Sequence, residues 1–192
     1  MATYRTLTET PLLVQDAVET AQRRGFAHSC TPEVGRLLRT LASHQRDGRI
    51  GEIGTGCGVG AAWIVSGLAP TASFVTIESD PARSDAAATL LASYPNARVL
   101  RGHWRDILAY GPFDLLFADT PAKREEPETV LDALAPGGLI VLDDLTPEEY
   151  WPPEWRGRPD PVREVWLNDP RLSAAELLLT PTACAILATR LV

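Results

Sequence analysis

Glu52, Gly54, Gly56 and Gly58 alternate along the stretch Arg49–Gly60, which opens as a short apolar strand and runs into a helical pattern from Ala61 to Val65. A strand, a glycine-rich turn and a helix N-terminus together offer backbone N–H groups and a favourable dipole to a negative group. Glycines there let a ligand approach where a Cβ would push it away. More acids stand where apolar runs end: Glu78 after Ala72–Ile77, Asp119 after Phe113–Ala118, and Asp143 and Asp144 after Leu139–Leu142. A carboxylate at the place of Glu78 can accept from both hydroxyls of a ribose. Asp80, with Pro81 behind it, reads instead as a helix cap. Asp119, Asp143 and Asp144 would repel one another if they met, unless a cation or a proton intervened. An all-oxygen set of that kind suits Mg²⁺, Mn²⁺ or Ca²⁺. The alternative is that one acid meets a cofactor amine while the others cap helices or bond loop amides.

Such acids become a site only if the elements around them bring strand ends together. Thr10-Pro11 starts a helix whose stripe is Leu13, Val14, Ala17, Val18 and Ala21, and Arg23-Arg24-Gly25 stops it. Ser29-Cys30-Thr31-Pro32 starts a second, with Val34, Leu37, Leu38 and Leu41 inward. Strands are expected near 49–53, 72–77, 97–100, 113–118 and 139–142. Helices are expected near 59–68, from Pro81, from His103 to Ala109, and over 125–134. Apolar strands alternating with helices form a parallel sheet covered on both faces. Residues 146–161 read as a loop, and Asp160-Pro161 starts a last helix. Strands near 174–180 and 183–191 are separated only by Pro181-Thr182, too short for a crossover, so they form an antiparallel hairpin. The fold class is α/β.

Composition narrows the function. The chain has 192 residues, a formal net charge of −7 and 45% hydrophobic residues. That length suits one domain. The acidic balance disfavours nucleic acid, which needs a basic face. No apolar run reaches the roughly 18 residues of a membrane helix, and Met1–Arg5 leads into no secretory segment. Cys30, Cys57 and Cys184 are too few and too scattered for a disulfide framework or a zinc site. The expected compartment is the reducing cytoplasm.

The glycine spacing separates the ligand classes. A dinucleotide fingerprint G-x-G-x-x-G started at Gly54 would need glycine at Val59; started at Gly56 it would end on Ala61, an allowed variant. The pattern as written, Glu52-x-Gly54-x-Gly56-x-Gly58, resembles the first motif of class I S-adenosylmethionine-dependent methyltransferases. Residues 29–192 resemble, more narrowly, the small O-methyltransferases of the catechol and caffeoyl-CoA type. The resemblance is carried by Glu52–Gly58, Thr76-Ile77-Glu78, Phe113–Asp119 and Pro136–Asp144.

The resemblance implies a Rossmann-like class I methyltransferase fold: a parallel sheet with a C-terminal antiparallel hairpin and helices on both faces. It implies one domain over 1–192, with 1–47 a helical cap, 48–145 the cofactor-binding half, and 146–192 the acceptor loop, last helix and hairpin. S-adenosylmethionine is the implied cofactor. Gly54, Gly56 and Gly58 would pass its methionine end, Glu52 would support its ammonium, and Ser29 and Cys30 would cover that end. Glu78 would hold the ribose. Gly102, His103 and Trp104 would lie by the adenine, where Trp104 can stack and His103 is either a contact or a surface residue. Asp119, Asp143 and Asp144 fall on the metal-ligand positions for Mg²⁺ or another divalent cation. Two departures stand out. The third of these positions is usually Asn and is Asp144 here. The family's catalytic lysine, three residues after Asp119, is replaced by Ala122, with Lys123 one place later, an Asp-x-x-x-Lys spacing closer to some bacterial relatives.

The expected reaction is methylation of an oxygen on a small molecule, with Lys123 and Asp119 as candidate catalytic residues. A homodimer is left open. The rivals are an amine, protein or RNA acceptor, and a nucleotide-dependent oxidoreductase or non-catalytic binding protein on the same fold. The loop Thr146–Trp155 holds Tyr150, Trp151 and Trp155, which would either close over a flat acceptor or pack on the sheet edge or the last helix.

Overall fold

The computed structural model describes residues 10–192. The reading of Met1–Arg5 lies outside the described residues. The element order is α1 (Leu12–Arg23), α2 (Pro32–His44), β1 (Arg49–Ile53), α3 (Val59–Val65), β2 (Ser73–Glu78), α4 (Pro81–Leu91) and β3 (Ala97–Arg101). It continues through a 3-10 segment (Trp104–Tyr110), β4 (Phe113–Ala118), α5 (Ala122–Glu125), α6 (Pro127–Asp132) and β5 (Leu134–Leu145). A short turn of helix (Glu148–Tyr150), α7 (Pro161–Asn168), β6 (Leu172–Thr180) and β7 (Ala183–Arg190) complete it.

The strands form one seven-stranded sheet in the order β3-β2-β1-β4-β5-β7-β6. The first five are mutually parallel. β7 runs antiparallel to both β5 and β6, which is the hairpin that Pro181-Thr182 requires. Chain order reverses between β1 and β4, and in open α/β sheets the crevice at that reversal is where ligands bind. The apolar alternation puts Leu38, Ile50, Phe74, Phe117 and Val141 into the core on one side of the sheet. Ile77, Phe113, Val130, Trp166 and Ile186 fill the other. Trp63 joins α3 to α1 through Val14, Ala17 and Ala21. Each fully buried aliphatic or aromatic side chain contributes roughly 1.5–3 kcal/mol.

Two capping expectations hold. The Thr31 Oγ1 accepts from the Val34 N–H at 3.3 Å, and the Asp80 Oδ1 accepts from the Arg83 N–H at 2.8 Å. The helix expected over 125–134 is shorter, α6 at Pro127–Asp132, and a separate turn of helix, α5, precedes it. Pro127 opens α6, and Glu126 before it sits at φ −142°, ψ 55°, off the helical region that a following proline disfavours. The fifth strand is longer than expected because pairing resumes at Leu134, across the Pro136-Gly137-Gly138 turn, with a register shift opposite Phe113 and Leu115. Among the described residues no helix is long and apolar enough to cross a membrane.

Candidate active site

The carboxyl ends of β1, β2 and β4 open into a cavity of about 510 Å³. Its wall includes Ser29, Glu52, Gly54, Gly56, Glu78, Gly102, His103, Trp104, Asp119 and Asp144, all residues expected there from sequence. Gly58, Asp143 and Lys123 are not part of it. Gly58 is the N-cap of α3, at φ 92°.

The turn between β1 and α3 is fixed from across the sheet. Gly56, at φ 54°, donates its N–H to the Glu78 Oε2 at 2.9 Å. The other carboxylate oxygen, Oε1, accepts from the Asp80 N–H and from the Arg83 Nη2, each at 2.9 Å. Arg83 also lies over the Phe26 ring, 5.5 Å from its centroid. Arg83, Phe26 and His28 line the cavity, and sequence reasoning missed all three. The usable signal for Arg83 was its place one turn into the helix that Asp80 caps, with its side chain directed back at the strand end. Nothing in the sequence marked the loop carrying Phe26 and His28.

Glu52 sits at the bottom of the cavity and is fully buried. Its Oε2 accepts from the Thr76 Oγ1 at 2.5 Å, and Thr76 in turn shares a hydrogen bond with Thr55. Burial pushes the Glu52 carboxyl up to about 8, against the opposing pull of the Thr76 bond. A Cβ on Gly60 would overlap the Glu52 Oε1, so glycine at 60 makes room for this acid. Among the described residues, the buried side-chain polar atoms without a partner are the Glu52 Oε1, the Ser29 Oγ and the Arg83 Nε. All three belong to the cavity wall. Buried polar atoms are normally satisfied, so this wall holds two donors and one acceptor directed at something else.

The acids at the ends of β4 and β5 do not meet as a trio. Asp119 and Asp144 face the cavity. Burial, then the charges of Asp144 and Asp143, push the Asp119 carboxyl well up. Asp144 is the one non-glycine described residue with positive φ, at 62°, a strained setting that aims its side chain into the site. Asp143 is buried behind it, its carboxyl pushed up to about 6, chiefly by burial. Lys123 is buried as well, and its Nζ donates to the Asp143 carbonyl at 2.7 Å. The expected base thus donates to backbone and is not part of the cavity wall. Among the described residues no three His, Cys, Asp or Glu side chains converge closely enough to hold a metal ion.

His103 and Trp104 have local duties beside the cavity. The His103 Nδ1 accepts from the Arg105 N–H at 3.3 Å and closes a capping box with Asp106. The Arg105 guanidinium lies 5.3 Å from the Trp104 ring centroid. Of the loop's three aromatics, only Trp151 packs toward the last helix. The Trp151 Nε1 donates to the Thr146 carbonyl at 2.8 Å, and the ring lies under Arg163 of α7. Tyr150 and Trp155 are exposed, and none of the three lines the cavity.

The sheet order and the C-terminal antiparallel hairpin give the chain the Rossmann-like class I methyltransferase fold. Residues 52–145 match the family profile described as "Methyltransferase domain". A "Putative O-methyltransferase" of Mycobacterium avium (strain 104) is 31% identical over 126 residues, covering 60% of this chain and 56% of that one. A protein of the same description from Mycobacterium sp. (strain JLS) is 31% identical over 143 residues, covering 67% and 64%. The chain thus spans a little under two thirds, at most, of these two curated relatives. The fold matches the O-methyltransferase from Bacillus cereus in complex with SAH, with a TM-score of 0.79, 24% identity and coverage of 97% and 94%. It also matches the O-methyltransferase TomG of Streptomyces achromogenes in complex with SAM, with a TM-score of 0.76, 23% identity and coverage of 98% and 93%.

Proposed function

We propose that this protein moves the sulfonium methyl of S-adenosylmethionine to an oxygen of a small molecule. The observation that carries the proposal is the set of unpartnered buried atoms in the cavity wall. An amino-acid end needs donors for its carboxylate and an acceptor for its ammonium, and the Ser29 Oγ and Glu52 Oε1 supply one of each. The Arg83 Nε is a further donor beside Glu78. Glu78 takes the ribose, with the Gly56 N–H fixing its Oε2. Gly102, His103 and Trp104 border the adenine end.

The donor brings an already activated methyl, so the protein's contribution is alignment of the two reactants. The C–S bond breaks with its electron pair going to sulfur, the new O–C bond forms, and the acceptor hydroxyl gives up its proton. Asp119 and Asp144 are the carboxyls of the wall that can take that proton. Burial holds Asp119 at a higher pKa than an exposed acid, which brings a carboxylate base closer to working pH. The compartment we assign is the cytoplasm, where the free thiols Cys30, Cys57 and Cys184 stay reduced.

Titration calorimetry separates this from the oxidoreductase reading. S-adenosylhomocysteine should bind saturably and NAD should not. Saturable NAD binding with no heat from S-adenosylhomocysteine would overturn the proposal.

A further inference from the structure

A divalent cation is implied for the positions of Asp119, Asp143 and Asp144, and the donor set does not fit one. A hard cation needs oxygen ligands converging on one point, with near-octahedral demands in the case of Mg²⁺. Here Asp119 and Asp144 face the cavity while the Asp143 carboxyl is buried outside its wall. A cation of the protein itself already acts on two of them. The Lys123 ammonium reaches the same corner from α5 and is fixed by its 2.7 Å bond to the Asp143 carbonyl. Its position is determined from both sides: the Trp166 Nε1 of α7 donates to the Lys123 carbonyl at 2.8 Å. The Lys123 charge acts on both Asp119 and Asp143, in the direction that favours their ionised forms.

We infer that Lys123 is the resident cation of this acid cluster, a positioning residue that occupies the electrostatic role of a divalent ion and keeps such an ion out. The inference rests on the proposed methyl-transfer reading for its purpose, but not for its geometry. At position 123 the lysine holds its ammonium outside the cavity wall, against the backbone of β5. An ammonium there offsets the mutual repulsion of Asp119 and Asp143 without taking a coordination site in the cavity. A divalent ion beside it would meet a positive charge that the other acids must offset first.

Mn²⁺ is the probe, titrated into the full chain by calorimetry and by the loss of its free-ion paramagnetic resonance signal. The wild-type protein should show no saturable binding up to about 1 mM, the weak end of protein oxygen sites. Lys123→Met should bind Mn²⁺ at least tenfold more tightly, because the acids have lost the cation that acts on Asp119 and Asp143. Lys123→Arg, which keeps the charge, should not bind. Saturable wild-type binding below that concentration, abolished by Asp119→Asn, would overturn the inference, and that arm needs no lysine variant to fold. A folded Lys123→Met that still fails to bind would also overturn it, because the lysine would then not be what excludes the ion. S-adenosylhomocysteine titrated in parallel, with and without chelator, keeps the two readings apart. Absence of that ligand's binding counts against the methyl-transfer proposal alone, whereas a change in its affinity of tenfold or more on chelation counts against the resident cation.

Discussion

Trp166→Ala should cost the fold about 3–5 kcal/mol, the range for truncating a buried Trp. Trp166 is 1% exposed and belongs to the cluster that includes Val130, Val162 and Ile186, between α7 and the sheet. Its loss leaves a large cavity under a helix of only eight residues, too short to close over it. It also removes the donor to the Lys123 carbonyl, leaving that buried acceptor unpaired. The consequence therefore extends from packing to the site: α5 loses the contact that sets where the Lys123 ammonium lies. Urea unfolding measures the effect, with Trp155→Ala, 58% exposed, as the near-neutral control. A loss below about 1 kcal/mol for Trp166→Ala would mean that α7 can repack, which a close-packed interior does not readily do.

Acidification should stabilise the ligand-free protein over the range where most proteins are indifferent. The cause is Glu52, whose carboxyl is raised from 4.5 to about 8 by burial. Between those two values the folded state holds a proton that the unfolded chain has released, so unfolding releases protons and stability falls as pH rises. The melting temperature should therefore climb as pH is lowered from 8 towards 5, with Asp119 and Asp143, both also raised by burial, adding to the same slope. Glu52→Gln removes the ionisable group at nearly constant shape. It should raise the melting temperature at pH 8 and flatten the profile, while weakening the ligand whose ammonium Glu52 is proposed to accept. A melting temperature that rises with pH across this window in the wild type would show that Glu52 is ionised and paired in the folded state, which contradicts its unpartnered Oε1.

Most of the scaffold was legible because it rests on local chemistry. Glycines at 54, 56 and 58 announced a turn between a strand and a helix, and the structure has β1, that turn and α3 there. Thr31-Pro32 and Asp80-Pro81 announced helix starts. The two-residue link at Pro181-Thr182 forced an antiparallel pair. What stayed hidden depends on how side chains direct themselves once the sheet has formed. Lys123 shares a four-residue helical turn with Ala122, and only the docking of α7 decides that its amine turns toward the β5 backbone. Asp143 and Asp144 are adjacent, but Asp144 sits at positive φ where the β5–β7 register shifts between Leu142 and Leu145, so strand alternation does not tell which way each side chain turns. Phe26 and His28 came from a loop without periodicity, where neither helix nor strand patterning applies.

The central claim is that the end of β2 holds the ribose of an S-adenosyl ligand, and Glu78→Ala tests it most directly. Glu78 is only 7% exposed and both its oxygens are already oriented by Gly56, Asp80 and Arg83, so it is preorganised to receive a diol. Calorimetric titration with S-adenosylhomocysteine, on variant protein whose circular dichroism matches the wild type, should give an affinity weaker by about 1.5–3 kcal/mol, the scale of a hydrogen bond to a charged group. An unchanged affinity in the folded variant would contradict the claim and move the ribose away from the end of β2.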